Sequence, residues 1–201
     1  MLERNRHFTR VLVLVVLVAL ALRVWGLTTQ SLWYDEGFSV NLAGQSWGRI
    51  LLGELNLPPL YHLLLGAWVR LAGSGEFAVR YFSVFWGVLL VVLGGAWVSR
   101  LLGPRAGALC ALLLAMSPIE VWYAQETRMY AMLGALALAS SYLLTCLLAP
   151  PLRSNDLSRS SLTAEAVTTR GGWLWALYAL VNIAAVYTHY YAALVLAAQA
   201  V

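Results

Sequence analysis

The residues able to do chemistry in this chain are few, and they fall in four short segments. Leu32-Trp33-Tyr34-Asp35-Glu36-Gly37-Phe38 sets two adjacent carboxylates among aromatic rings. In surroundings less polar than water, at least one such acid has a raised pKa and suits the role of proton acceptor near neutral pH. A solvated acidic pair capping a short helix fits the same residues equally well. Asn56-Leu57-Pro58-Pro59-Leu60-Tyr61-His62 has proline where a helix begins, and His62 there reads as an interfacial polar anchor. The run from Ser117 to Tyr130 is the densest polar cluster, holding Glu120, Tyr123, Gln125, Glu126 and Arg128. An exposed guanidinium beside aromatic rings can bind a lipid phosphate through two parallel hydrogen bonds. The plainer alternative is a local Glu126–Arg128 or Glu120–Arg128 pair that anchors a helix end. Tyr187-Thr188-His189-Tyr190-Tyr191 interrupts the last apolar run and by itself reads as an aromatic interface belt. Arg23 and Arg80 flank apolar runs, where snorkelling to the surface is the default expectation. No glycine-rich nucleotide loop, HExxH or paired CxxC motif is present, so soluble-nucleotide and zinc-protease chemistry lack support.

The elements that must position these groups are apolar helices. The chain has 201 residues, 61% hydrophobic and 11% charged, against about 25% charged in an ordinary soluble domain. The apolar residues come in uncharged runs, the form a bilayer-spanning helix requires. Nine Trp and ten Tyr suit aromatic belts at the membrane interfaces. The fold class expected is therefore all-α, a polytopic transmembrane helical bundle. Cys110 and Cys146 lie within apolar runs and read as buried thiols.

All 13 basic residues are arginine and the net charge is +4. In a soluble protein that balance would point to nucleic acid; in a membrane protein it reports topology, and no nucleic-acid partner is expected. Arg4, Arg6 and Arg10 precede the apolar run 11–22 and place the N-terminus in the cytoplasm, with an uncleaved first helix. Further spans are expected over 81–99, 106–125, 129–152 and 171–201, the last turning near Thr188-His189. The run 55–69 is short for a span. If it lies on the outer surface, Arg100, Arg105 and the segment 150–172 all fall on the cytoplasmic side, as the positive-inside rule demands. The loop 28–76, the segment 120–129 and the turn near 188–190 then meet at the extracytoplasmic face, bringing Asp35, Glu36, Glu54, His62, Glu126, Arg128 and His189 together. The apolar run at Val201 has no polar tail, and the chain reads as the N-terminal part, 1–201, of a longer protein.

Taken in order, these segments resemble the polyprenyl-phosphate-sugar-dependent glycosyltransferases of the GT-C fold. The resemblance is to the family 39-like group of protein mannosyltransferase, aminoarabinose transferase and RgtA/B/C/D-like proteins. It rests on Trp33-Tyr34-Asp35-Glu36, Pro58-Pro59-Leu60-Tyr61-His62-Leu63-Leu64, Glu76-Phe77-Ala78-Val79-Arg80, Ser117-Pro118 through Tyr123-Ala124-Gln125-Glu126-Thr127-Arg128-Met129-Tyr130, and Tyr187-Thr188-His189-Tyr190. The chain departs from it at Leu57, where many relatives carry His, and at His189, where they often carry Lys. The resemblance implies a large first extracytoplasmic loop with juxtamembrane helices, a polyprenyl-phosphate sugar donor, and a glycan, lipid or protein acceptor. It implies catalytic roles for Asp35 and Glu36, with Asp35 the base. Substrate contacts are expected from Arg128, Glu126, Tyr123, His62 and His189, with a divalent metal ion, if one is used, held by Glu36 and Glu126. The competing class is a transporter or flippase-like protein with carboxylate ion sites, which would place its charges near the bilayer midplane.

Overall fold

The computed structural model describes residues 2–52, 57–148 and 162–200, with side chains placed over 8–52, 57–148 and 171–200. Glu54 and the stretch 149–161 of the expected cytoplasmic loop lie outside the described residues. The architecture is all-helical, as expected, with no strand among the described residues. In chain order the helices are α1 (Leu2–Val24), α2 (Tyr34–Ala43), α3 (Trp47–Leu52), α4 (Leu60–Ala72), α5 (Glu76–Leu102), α6 (Pro104–Met116), α7 (Pro118–Gln125), α8 (Tyr130–Leu148), α9 (Leu162–Thr188) and α10 (Ala192–Gln199). Proline starts α6 and α7, where its missing N–H costs nothing. Gly103, at φ 94°, makes the turn between α5 and α6.

Three described helices are long and apolar enough to cross a membrane: α5, α8 and the part of α9 from Gly171 to Thr188. The run 106–125 is not one straight helix. It is α6 and α7, bent by 57° at Ser117-Pro118, because proline ends the preceding helix and begins the next. At 13 residues, α4 is about 20 Å long, short of the ~30 Å hydrocarbon core. The final apolar run breaks between Thr188 and Ala192, where the aromatic cluster predicted a turn.

Helix α5 is the hub, packing against α1, α4, α6, α7 and α8. Small residues allow its close approach to α6. A Cβ on Gly107 would come 2.5 Å from the Gly95 carbonyl oxygen and from Ser99 Cβ. Within a bilayer, helix association depends on such backbone proximity and on interhelical polar contacts. Ser140, Asn182, Gln199 and Tyr178 supply the latter, joined by bonds of 2.7–3.1 Å between α8, α9 and α10.

The snorkelling expectation for Arg23 and Arg80 is overturned. Both are buried. Arg23 donates to the carbonyls of Ala19, Leu114 and Ala115. The bend after Met116 leaves the last carbonyls of α6 without helical partners, and Arg23 satisfies two of them. Gln125 Nε2, at the end of α7, in turn donates to the carbonyls of Leu22, Arg23 and Trp25. The bent pair and the end of α1 thus close each other's open helix termini.

Candidate functional site

Glu36 is the best-anchored group of the site. Trp33, in extended conformation, precedes α2, and Glu36 at the third helical position accepts its backbone N–H at 3.3 Å. This is half of a capping box. Arg80, one turn into α5, meets the same carboxylate with two parallel bonds, Nε to Oε1 at 2.9 Å and Nη2 to Oε2 at 2.7 Å. The Thr127 amide adds a second donor to Oε1 at 2.8 Å, the fourth N–H on this carboxylate. Burial works to raise the Glu36 pKa. The bonds from Arg80 and Thr127, the Arg80 charge and the Trp33 amide together outweigh it and hold the carboxyl below its usual range. Glu36 is therefore not the acid of raised pKa that the sequence led us to expect in the Asp35-Glu36 pair.

Asp35, the neighbouring residue on α2, points elsewhere. Its Oδ2 lies 3.7 Å from Arg128 Nη2, and Arg128 Nη1 donates to the Asp35 carbonyl at 3.4 Å. The Asp35 side chain is 40% exposed and that of Arg128 12%. Neither Glu126 nor Glu120 is within salt-bridge distance of Arg128, so the local pair considered from sequence gives way to a long-range one. The Arg128 guanidinium also sits 5.8 Å from the Tyr130 ring centroid. From there a run of aromatic contacts extends both ways, Tyr123 to Tyr130 at 4.9 Å and Tyr130 to His189 at 6.2 Å.

His62 lies on α4 and is buried against Tyr61, with no well-formed hydrogen bond on either ring nitrogen. Burial, then the Arg128 charge, push its pKa down to about 4, against a smaller upward pull from the Pro58 carbonyl. The imidazole is neutral at physiological pH, so it reads as a buried neutral group beneath Arg128 rather than an exposed polar anchor. His189 is lowered by the same two causes, burial first. Glu126 behaves oppositely to Glu36. Burial raises it, the Glu36 and Asp35 charges add to that, and the bond from Trp122 Nε1 at 2.5 Å and the Arg128 charge only partly offset it.

The structure thus brings Asp35, Arg128, Tyr123, His62 and His189 into one neighbourhood, with Glu126 on the side facing Trp122. The expected metal-binding pair does not fit a cation. Both Glu36 oxygens are engaged by Arg80, Thr127 and Trp33. No group of three or more His, Cys, Asp or Glu able to hold a metal ion occurs among the described residues. Sequence reasoning missed Arg80 as the partner of Glu36. The signal was there, since Arg80 closes the Glu76-to-Arg80 segment quoted for the resemblance. It also missed Gln125, whose partners are backbone carbonyls that leave no trace in side-chain identity.

Residues 56–153 match the family model of dolichyl-phosphate-mannose-protein mannosyltransferase. His62, Arg80, Tyr123, Glu126 and Arg128 lie inside the matched stretch, Asp35 and Glu36 before it and His189 after it. No curated protein and no solved structure matches the chain. Over residues 56–153, on an all-helical bundle with apolar helices of membrane-spanning length, the expected resemblance is borne out: this stretch, just under half of the chain, is similar to the dolichyl-phosphate-mannose-protein mannosyltransferase family, which has the GT-C fold.

Proposed function

We propose that the protein is a multi-pass cell-membrane glycosyltransferase, with a cytoplasmic N-terminus, that moves a sugar from a polyprenyl-phosphate donor to an acceptor at the extracytoplasmic face. The family match supports a lipid-phosphate sugar donor. The observation that carries the site is the Asp35–Arg128 approach, a partly exposed carboxylate beside a mostly covered guanidinium.

In this reading the acceptor oxygen attacks the anomeric carbon, and the bond from that carbon to the phosphate oxygen breaks. The acceptor proton passes to Asp35, and the polyprenyl phosphate leaves with the bonding pair. A phosphate monoester is a good leaving group, so the reaction needs a base and positive charge near the departing oxygens rather than an acid. Arg128 supplies the charge, and its forked donors match phosphate geometry. Glu36 and Arg80 act as positioning residues. They fix α2 against the Thr127 amide, and so hold Asp35 next to Arg128. The isoprenoid keeps the donor in the bilayer, which sets the site at headgroup height. Glycan, lipid or protein acceptors all meet these requirements.

The test is sugar transfer by the purified protein in proteoliposomes supplied with polyprenyl-phosphate mannose, read as release of polyprenyl phosphate. Arg128→Ala is expected to abolish donor use. Cysteine labelling of residues 28–76 from outside the vesicle checks the sidedness. Labelling from the cytoplasmic side alone would contradict the assignment.

A further inference from the structure

A cleft of about 270 Å³ opens beside the Glu36–Arg80 pair, between the connection that follows α1 and the end of α7. Its walls are pinned before any ligand arrives. Arg80 donates to the carbonyls of Leu27, Gln30 and Ser31 at 2.7–3.2 Å. Gln125 holds the preceding turn through the Trp25 carbonyl at 2.8 Å, and Gly26, at φ 71°, makes that turn. A preformed cleft of this kind loses little ordering entropy on binding.

The lining is as informative as the rigidity. Two indoles border it, Trp33 50% and Trp122 64% exposed, together with the Glu126 carboxyl and the polar groups of Thr29, Gln30 and Ser31. The one cationic side chain of the lining is Arg80. Its Nε and both terminal nitrogens are committed to Glu36 and to three carbonyls, which accounts for all five of its N–H donors. It has no N–H left for an anion. Flat apolar faces beside a carboxyl, with no free positive charge, suit a ligand that is apolar on one side, rich in hydroxyls on the other, and uncharged.

We propose that this cleft binds an uncharged pyranose ring, the C–H face against an indole and the hydroxyls towards Glu126, while phosphate is held separately at Arg128. The biological source of the sugar rests on the glycosyltransferase reading. The binding itself does not, because it is measured without turnover.

The test uses the protein in lipid nanodiscs titrated with methyl α-mannopyranoside and with glucuronate, read by saturation-transfer NMR. Saturable binding of the neutral sugar is expected, with glucuronate weaker by about tenfold or more, since its carboxylate would enter beside Glu126 without a counter-charge. Trp33→Ala and Glu126→Ala are each expected to weaken the neutral sugar about tenfold, the loss of one good packing or hydrogen-bond contact. Ser31→Trp, on the exposed rim, fills the cleft without disturbing the packed core and is expected to abolish binding. Arg49→Ala, on α3, is expected to leave it unchanged. Displacement of the bound sugar by polyprenyl-phosphate mannose assigns the ring to the donor; simultaneous binding assigns it to an acceptor glycan, and either result upholds the cleft. Absence of saturable binding, equal binding of glucuronate, or indifference to Ser31→Trp would overturn the proposal.

Discussion

The Glu36 carboxylate and the Arg80 guanidinium meet through two hydrogen bonds in a fully covered setting, and the site is organised around them. One carboxylate ties the start of α2 to α5 and, through the Thr127 amide, to the segment that carries Arg128. The acid beside it in sequence, Asp35, is not drawn into this pair and lies partly exposed against Arg128.

Breaking this pair is expected to destabilise the protein and disable it together. Removing one partner of a buried ion pair typically costs about 3–5 kcal/mol. Glu36→Ala and Arg80→Ala are expected to lower the thermal midpoint in detergent and to abolish transfer. Arg80→Lys keeps the charge but loses the fork and three carbonyl contacts, and should recover only part of the stability. A wild-type midpoint for Arg80→Ala would remove the pair from the account.

Acidification is expected to loosen the fold by two additive routes. Glu36 has a depressed carboxyl pKa, so its contribution is full above the unfolded carboxylate value and lost as pH falls through the folded one. His62 is a base depressed to about 4. Above its unfolded value of about 6.5 it is neutral in both states. Below that the unfolded chain takes up a proton that the folded one refuses, and stability declines until pH reaches about 4. Unfolding scans between pH 8 and 5 should show His62→Phe flatter than wild type. An equal slope would show that His62 is not held neutral.

Gly87 is expected to resist substitution. A Cβ there would lie 2.5 Å from Ala124 Cβ and 3.0 Å from Arg23 Nε, so neither the end of α7 nor the Arg23 cap can stay in place. Gly87→Val is expected to cost at least the ~1–3 kcal/mol typical of overpacking, seen as a lower thermal midpoint.

Much of this fold was legible in the residues. Uncharged runs bounded by arginine mark the helices, and Thr188-His189 marks the last turn. The 57° bend was not foreseen, although Ser117-Pro118 stood in the middle of the run, because hydropathy is blind to a break that stays apolar on both sides. Asp35 and Arg128 both stand out in the sequence, yet their pairing does not, since 93 positions separate them and nearer acids offer themselves to Arg128. Arg23 and Arg80 were misread for a deeper reason. Their partners are largely backbone carbonyls, at the end of α6 for Arg23 and in the connection after α1 for Arg80, and a carbonyl carries no sequence signature.

The central claim is that Asp35 takes the acceptor proton while Arg128 holds the phosphate. Asp35→Asn tests it most directly, because the amide preserves shape and cannot act as the base. The measurement is single-turnover transfer from polyprenyl-phosphate mannose in proteoliposomes, with donor binding and the thermal midpoint read on the same preparation. Donor binding and folding are expected to stay near wild type while transfer falls by about 10²–10⁴-fold, the range ascribed to a positioned base. Turnover unchanged in correctly inserted Asp35→Asn protein would contradict the account.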